Sequence, residues 1–149
     1  MVDRPGLERF LRRHQRVGLD TSLLIYFIEG HPEFYGHSRT VFDAIESGRN
    51  LGVCSTLSLL EVLVQPYRRG KEELVNQFYG LLTTYPGLTW VELSTEIADL
   101  AARLRANHRL KTPDSIVLAT AIHAGATGFI GNDVQMARVP AIDVLLLDR

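Results

Sequence analysis

Arg16-Val17-Gly18-Leu19-Asp20-Thr21-Ser22-Leu23-Leu24-Ile25 decides how this chain is to be read. A short apolar run ends on an acid, two hydroxyl residues follow, and an aliphatic segment resumes. A short aliphatic run bounded in this way reads as a strand covered on both faces. The segment after Asp20 opens a helix near Ser22, for which Asp20 itself is a candidate cap. Runs of the same type stand at Leu51–Cys54, Leu88–Val91, Gly128–Ile130 and Ile142–Leu147. With Arg16–Leu19 they make five expected strands.

Helical spacing fills the gaps. Phe34, Ser38, Val41 and Ile45 share one face, and Gly48 stops that helix. Leu74, Val75, Phe78, Leu81 and Leu82 repeat the pattern. So do Ile97, Leu100, Ala101 and Leu104, with Ser94 as the expected N-cap. Thr112 is placed to cap a further helix and Pro113 fits its first turn. That helix, running to Ala124, is apolar on nearly every side and is expected to be buried. Strands alternating with helices over 149 residues predict one α/β domain, a sandwich around a mainly parallel sheet. In such sheets ligands collect beyond the carboxyl ends of the strands.

Composition narrows the function classes. The hydrophobic share is 46%, which suits a globular core, and the formal net charge is −1. The whole molecule is therefore no polycation, so any contact with nucleic acid must come from local basic clusters. No stretch is long and apolar enough to span a bilayer. Met1 to Arg16 is charged and lacks the apolar centre of a signal peptide. Its first fifteen residues read as a basic, helical N-terminal extension, with Leu7, Phe10, Leu11 and His14 on one face. The single cysteine, Cys54, lies in an apolar run and reads as a buried residue. A cytoplasmic, reducing location is expected.

Four acids stand out: Asp20, Glu61, Asp114 and Asp133. Each lies at an element end or inside an apolar element, where an unpartnered charge is costly. Three have plain structural readings. Asp20 can cap a helix, Asp114 in a first helical turn is favoured by the macrodipole, and Asp133 after Asn132 fits a turn or N-cap. Glu61 does not fit so easily. On a helix, Ser58, Glu61 and Gln65 form one narrow polar stripe in the otherwise apolar Leu57–Val64, and a surface helix would show a wider polar face. Two carboxylates about 4 Å apart repel by roughly 4 kcal/mol at an effective dielectric near 20. Acids that converge therefore call for cations, and oxygen donors suit a hard ion such as Mg²⁺. The five histidines show no pair with zinc-ligand spacing.

The motifs carrying these acids resemble those of PIN-domain ribonucleases, and more narrowly VapC-type toxins of toxin–antitoxin pairs. They are Val17-Gly18-Leu19-Asp20-Thr21-Ser22-Leu23-Leu24-Ile25, Ser58-Leu59-Leu60-Glu61-Val62-Leu63, Leu110-Lys111-Thr112-Pro113-Asp114-Ser115-Ile116-Val117-Leu118-Ala119 and Gly128-Phe129-Ile130-Gly131-Asn132-Asp133. The resemblance covers nearly all of the chain after residue 16. It implies a Rossmann-like three-layer sandwich, a Mg²⁺ or Mn²⁺ site and cleavage of RNA. It carries Asp20, Glu61, Asp114 and Asp133 over as catalytic and metal-site residues, with Ser22 and Asn132 in support. It also implies an antitoxin partner and a homodimer. Two positions depart from the family pattern: Gly131 stands where a hydroxyl residue is common, and Val134-Gln135 stands where a further acid is common.

Arg103, Arg105, Arg109 and Lys111 lead into the Asp114 segment and are candidates for contacts to RNA phosphates. They read equally well as a solvated helix end, where cations favour the dipole. Two other functions compete with the nuclease. One is a catalytically weak or silent RNA-binding or interaction module on the same fold. The other is an aspartyl-phosphate enzyme built on Asp20, which the presence of Ser22 two residues later disfavours.

Overall fold

The protein is described by a computed structural model covering residues 1–148. A helix, α1 (Arg4–Arg13), precedes the first strand, β1 (Arg16–Leu19). Then come α2 (Thr21–Glu29), α3 (Tyr35–Glu46), β2 (Leu51–Ser55), α4 (Thr56–Arg68), α5 (Glu72–Thr83) and β3 (Leu88–Val91). The chain continues through α6 (Thr95–His108), α7 (Thr112–His123) and β4 (Gly128–Gly131) to a 3-10 turn (Val134–Arg138) and β5 (Asp143–Leu146). All five strands join one sheet in the order β3-β2-β1-β4-β5, and every pairing is parallel.

That order divides the helices between two faces. The steps β1 to β2 to β3 run one way along the sheet, while the return to β4 and β5 runs the other way. Right-handed crossovers therefore put the helices of the first half on one side and those of the second half on the other. Two separate apolar cores follow. One gathers Leu7, Phe10, Leu23, Leu24, Phe42, Val62 and Leu82 from α1 to α5. The other gathers Ile97, Ala101, Leu104, Val117, Leu118 and Ala121 from α6 and α7, with Met136 of the 3-10 turn. The strands alternate between them: in β4, Phe129 faces the second core and Ile130 the first. This is an α/β three-layer sandwich.

Close approach between the layers depends on Gly18. A Cβ there would stand 2.4 Å from the Ala121 Cβ of α7 and 2.7 Å from the Phe129 ring. Its bare backbone lets α7 lie directly on β1. The all-apolar character of α7 follows from this seat between sheet and α6, where Ser115 and every residue from Val117 to Ala121 are buried.

The N-terminal segment is bound into the fold. Leu7, Phe10 and Leu11 are buried. The Asn50 side-chain amide donates to the carbonyls of Leu11 and His14, each at 2.8 Å. His14 is buried, with Nδ1 2.9 Å from Thr127 Oγ1 and Nε2 2.7 Å from Asp143 Oδ2. Its ring covers Gly128, where a Cβ would meet it at 2.7 Å. Thr127, Gly128 and Asp143 sit at the amino ends of β4 and β5, so His14 fastens α1 at the edge opposite the strand carboxyl ends.

Local structure differs from the sequence expectation in a few places. Thr112 does not cap α7. Lys111 takes the cap position without a side-chain bond, because Thr112 is already the first helical residue and its hydroxyl accepts from Arg105 Nε at 3.1 Å. Asp20 occupies the cap position of α2 but makes no capping bond. Its Oδ2 accepts from Ser22 Oγ instead, at 2.8 Å. Ser94 does cap α6, accepting from the Ile97 amide at 3.2 Å. Cys54 is fully buried, and burial pushes its thiol pKa well up.

Candidate functional site

The strand order reverses between β1 and β4, and this switch point opens a crevice beyond their carboxyl ends. Asp20 follows β1 directly and Asp133 lies two residues past β4. The Asp20 amide donates to the Ile130 carbonyl at 3.0 Å, so the two strand ends are tied together there. Glu61 reaches the crevice from α4, which packs on one face of the sheet, and Asp114 from the first turn of α7, on the other. One acid thus comes from each of four elements.

Burial and mutual charge mark the group electrostatically. Burial pushes the Asp20 carboxyl above its ordinary value, the charges of Glu61 and Asp133 add to the rise, and the Ser22 and Thr21 hydrogen bonds oppose it. The Asp114 carboxyl is pushed up to about 6 by burial first, then by Asp133 and Asp20, with Lys111 working against them. Asp114 therefore feels the other three acids, and Asp20 feels Glu61 and Asp133, as neighbouring carboxylates do. Among the described residues, none of the four has a Lys or Arg within salt-bridge distance. Asp114 Oδ2 is buried and has no hydrogen-bond partner among the described residues. A buried carboxylate oxygen without a partner is costly.

The supporting side chains are unevenly placed. Ser22 Oγ donates to Asp20 Oδ2 at 2.8 Å. Thr21, which the sequence reading left without a role, has its hydroxyl 2.7 Å from Glu61 Oε1 and 2.7 Å from Ser58 Oγ. A carboxylate only accepts, so Thr21 donates to Glu61, and the proton shared with Ser58 comes from Ser58. Ser58 is wholly buried. The narrow polar stripe on α4 was the legible signal, and Thr21 is its far end. Asp133 also caps the 3-10 turn, its Oδ1 accepting from the Gln135 amide at 3.0 Å. Asn132 turns away from the acids: its Nδ2 donates to Tyr26 OH at 3.2 Å and its Oδ1 accepts from the Asp148 amide at 2.9 Å. Gly131 lies against Asp20, and a Cβ there would stand 3.2 Å from the Asp20 Cβ.

The basic residues beside the site are exposed. Arg103 pairs with Asp99 one turn away at 3.3 Å. Arg105 bonds to Thr112 Oγ1 and to the Leu110 carbonyl. Arg109 ends α6 in the left-handed region, and Lys111 precedes α7.

The donor set suits a hard divalent cation. It is all carboxylate, it carries excess negative charge, and one oxygen is buried without a partner. The acids form an open crevice and not a closed cage: among the described residues, no three His, Cys, Asp or Glu side chains are grouped closely enough to hold a bare ion. Mg²⁺ keeps several of its waters, and a hydrated ion can be held from a wider ring of acids.

Comparisons with known proteins agree with this architecture. No curated protein matches the chain. Among solved structures, VapBC2 from Rickettsia felis bound to a DNA fragment from its promoter is similar at a TM-score of 0.70 and 18% identity, over 88% of this chain and 98% of that one. A toxin–antitoxin complex from Klebsiella pneumoniae is similar at 0.67 and 22% identity, over 87% of this chain and 95% of that one. The sarcin–ricin loop cleaving toxin VapC20 from Mycobacterium tuberculosis is similar at 0.60 and 12% identity, over 76% and 86%. At such identities the likeness is one of fold. The model of the PIN domain matches residues 17–142, which takes in β1 from its second residue, β2, β3, β4 and all four acids, and the chain belongs to the PIN domain family.

Proposed function

We propose that the protein is a Mg²⁺- or Mn²⁺-dependent endoribonuclease and the toxin of a toxin–antitoxin pair. The observation that carries this reading is the partnerless, buried Asp114 Oδ2 in a crevice it shares with Asp20, Glu61 and Asp133, none of them paired with Lys or Arg among the described residues. Such a crevice repels phosphates until cations enter it. The fold likeness to toxin–antitoxin complexes supports the biological role.

Asp20, Asp114 and Asp133 would hold the ion, directly or through its waters. Bound there, Mg²⁺ or Mn²⁺ supplies charge neutralisation, Lewis-acid polarisation of the phosphodiester and a more acidic water. Ser22 keeps Asp20 turned into the crevice. Thr21 occupies Glu61 Oε1 and fixes the carboxylate plane, leaving Oε2 to orient the attacking water or take its proton. Lys111 and the neighbouring arginines raise the local concentration of RNA phosphates.

The antitoxin would cover the crevice and place a basic side chain among the acids, neutralising them as the cation does. A homodimer would use the outer face of α4, where the large apolar side chains of Leu60 and Tyr67 are exposed. Among the described residues no helix is long and apolar enough to cross a membrane, and the reading places the protein in the cytoplasm.

Cleavage of end-labelled RNA under Mn²⁺ titration tests the proposal, with Asp114→Asn as the control. Internal cutting that rises with Mn²⁺ and vanishes in the variant is expected. RNA bound but uncut at saturating Mn²⁺ would favour a silent binding module, a reading to which Gly131 and the open spacing of the acids lend support.

A further inference from the structure

We infer that Arg105 is the positioning residue of Asp114, fixing the loop that leads into α7 and so setting where that carboxylate stands. The inference rests on the reading of Asp114 as part of a cation-dependent site. Arg105 lies in the last turn of α6, on the far side of a connection only three residues long, Arg109 to Lys111. Its Nε donates to Thr112 Oγ1 at 3.1 Å and its Nη1 donates to the Leu110 carbonyl at 3.2 Å. One planar guanidinium therefore grips both the loop and the first residue of α7, two positions before Asp114.

Three features make this grip matter. Arg109 is the one non-glycine with positive φ among the described residues, at 55°. A left-handed non-glycine is strained, and it persists only where its surroundings hold it. The amino end of α7 has no side-chain cap, so the usual clamp on a first turn is missing and Arg105 holds Thr112 in its place. The bridge also stands at the exposed rim of the α6–α7 contact, where Arg105 and Thr112 are both exposed. A cavity of about 280 Å³ opens there between α6 and α7, walled by Leu93, Ala98, Ala102 and Ile116 as well as by Arg105 and Thr112. Where the exposed Arg105 and Thr112 meet, outside the buried Leu110 and Ser115, the two hydrogen bonds tie the start of α7 to α6.

The role depends on shape more than on charge. The guanidinium fork presents two N–H groups in fixed directions, whereas a lysine ammonium is a point charge on a flexible stem. Lysine at position 105 would keep any attraction for RNA phosphates and lose the double grip. Thr112→Val would do the converse, removing one acceptor while leaving the arginine charge.

The full-length protein tests this in three measurements on the wild type, Arg105→Lys, Arg105→Ala and Thr112→Val. These are Mn²⁺ binding without RNA by electron paramagnetic resonance, amide hydrogen exchange over residues 110–115, and RNA cleavage as a function of salt. All three variants are expected to bind Mn²⁺ several-fold more weakly and to exchange roughly tenfold faster in that segment, as loss of hydrogen bonds from a charged donor implies. They should lower kcat, and in Arg105→Lys and Thr112→Val, which keep the positive charge, KM for RNA and its salt dependence should stay near wild type. Arg105→Lys and Thr112→Val behaving as wild type, while Arg105→Ala raises KM and flattens the salt dependence, would make Arg105 a phosphate contact and overturn the inference. A wild type that binds no Mn²⁺ would remove the nuclease reading instead. Hydrogen exchange still judges the grip in that case, and unchanged exchange in the variants overturns it.

Discussion

Thr21 Oγ1 stands 2.7 Å from Glu61 Oε1 although the two residues are 40 positions apart. The contact joins the first turn of α2, set by the end of β1, to the polar stripe of α4. It means that Asp20 and Glu61 do not move independently, since adjacent residues of one turn hold one and carry the other.

Thr21→Val keeps the shape of the side chain and deletes the hydroxyl. Glu61 loses its anchor and the buried Ser58 loses a partner, so stability should fall by about 1–3 kcal/mol. Cleavage should fall by about 10- to 100-fold in kcat, and Thr21→Ser should recover most of both. Melting curves and initial rates on the three proteins check this. Unchanged turnover in Thr21→Val would show that Glu61 needs no such anchor.

Asp20→Asn and Asp114→Asn should each abolish divalent-dependent cleavage. In chelator their melting temperatures should equal or exceed that of the wild type, because each removes a buried or half-buried charge repelled by its neighbours. A large loss of stability in chelator would assign that acid a structural role.

Mn²⁺ should stabilise the wild-type fold. Binding to the native state alone contributes about 2.7 kcal/mol at a hundred times Kd, and calorimetry with and without the ion measures it. Asp114→Asn should lose most of the gain.

Stability in chelator should depend on pH through Asp114. Its folded pKa of about 6 lies above the 3.8 of the free group, so the folded state holds a proton that the unfolded chain has released. That contribution is fully present below about pH 4 and is lost as the pH rises through 6. The difference in melting temperature between wild type and Asp114→Asn should therefore move against the wild type between pH 4 and 6. A difference that stays flat over this range would mean that Asp114 is not held protonated by the fold.

His14→Ala should cost about 2 kcal/mol or more, through lost hydrogen bonds and a cavity over Gly128. Cleavage per folded molecule should not change, because His14 is at the opposite end of the strands from the acids. Weaker RNA binding at unchanged stability would instead make the N-terminal segment a contact for RNA.

The sheet was legible because strands buried on both faces read as unbroken aliphatic runs. Each of the five begins within a residue of its expected position, and Arg16–Leu19 and Leu88–Val91 match end to end. The α6 and α3 helices were legible from periodicity and from Ser94 and Gly48. Capping was read less well, since propensity cannot tell which of two partners a side chain takes. Ser22 claims the Asp20 oxygen, and Arg105 claims the Thr112 hydroxyl. Long-range pairs left no trace in sequence at all: nothing in spacing joins His14 to Asp143, 129 positions away. The acids themselves were visible as charges in apolar company, while their common crevice depends on the reversal of strand order between β1 and β4.

That reversal has a bearing on how the molecule is made. β4 slots between β1 and β5, so the gap beside β1 stays empty until synthesis has passed Gly131. During translation the earlier acids therefore wait without their last companion, and a nascent chain cannot assemble the four-acid group.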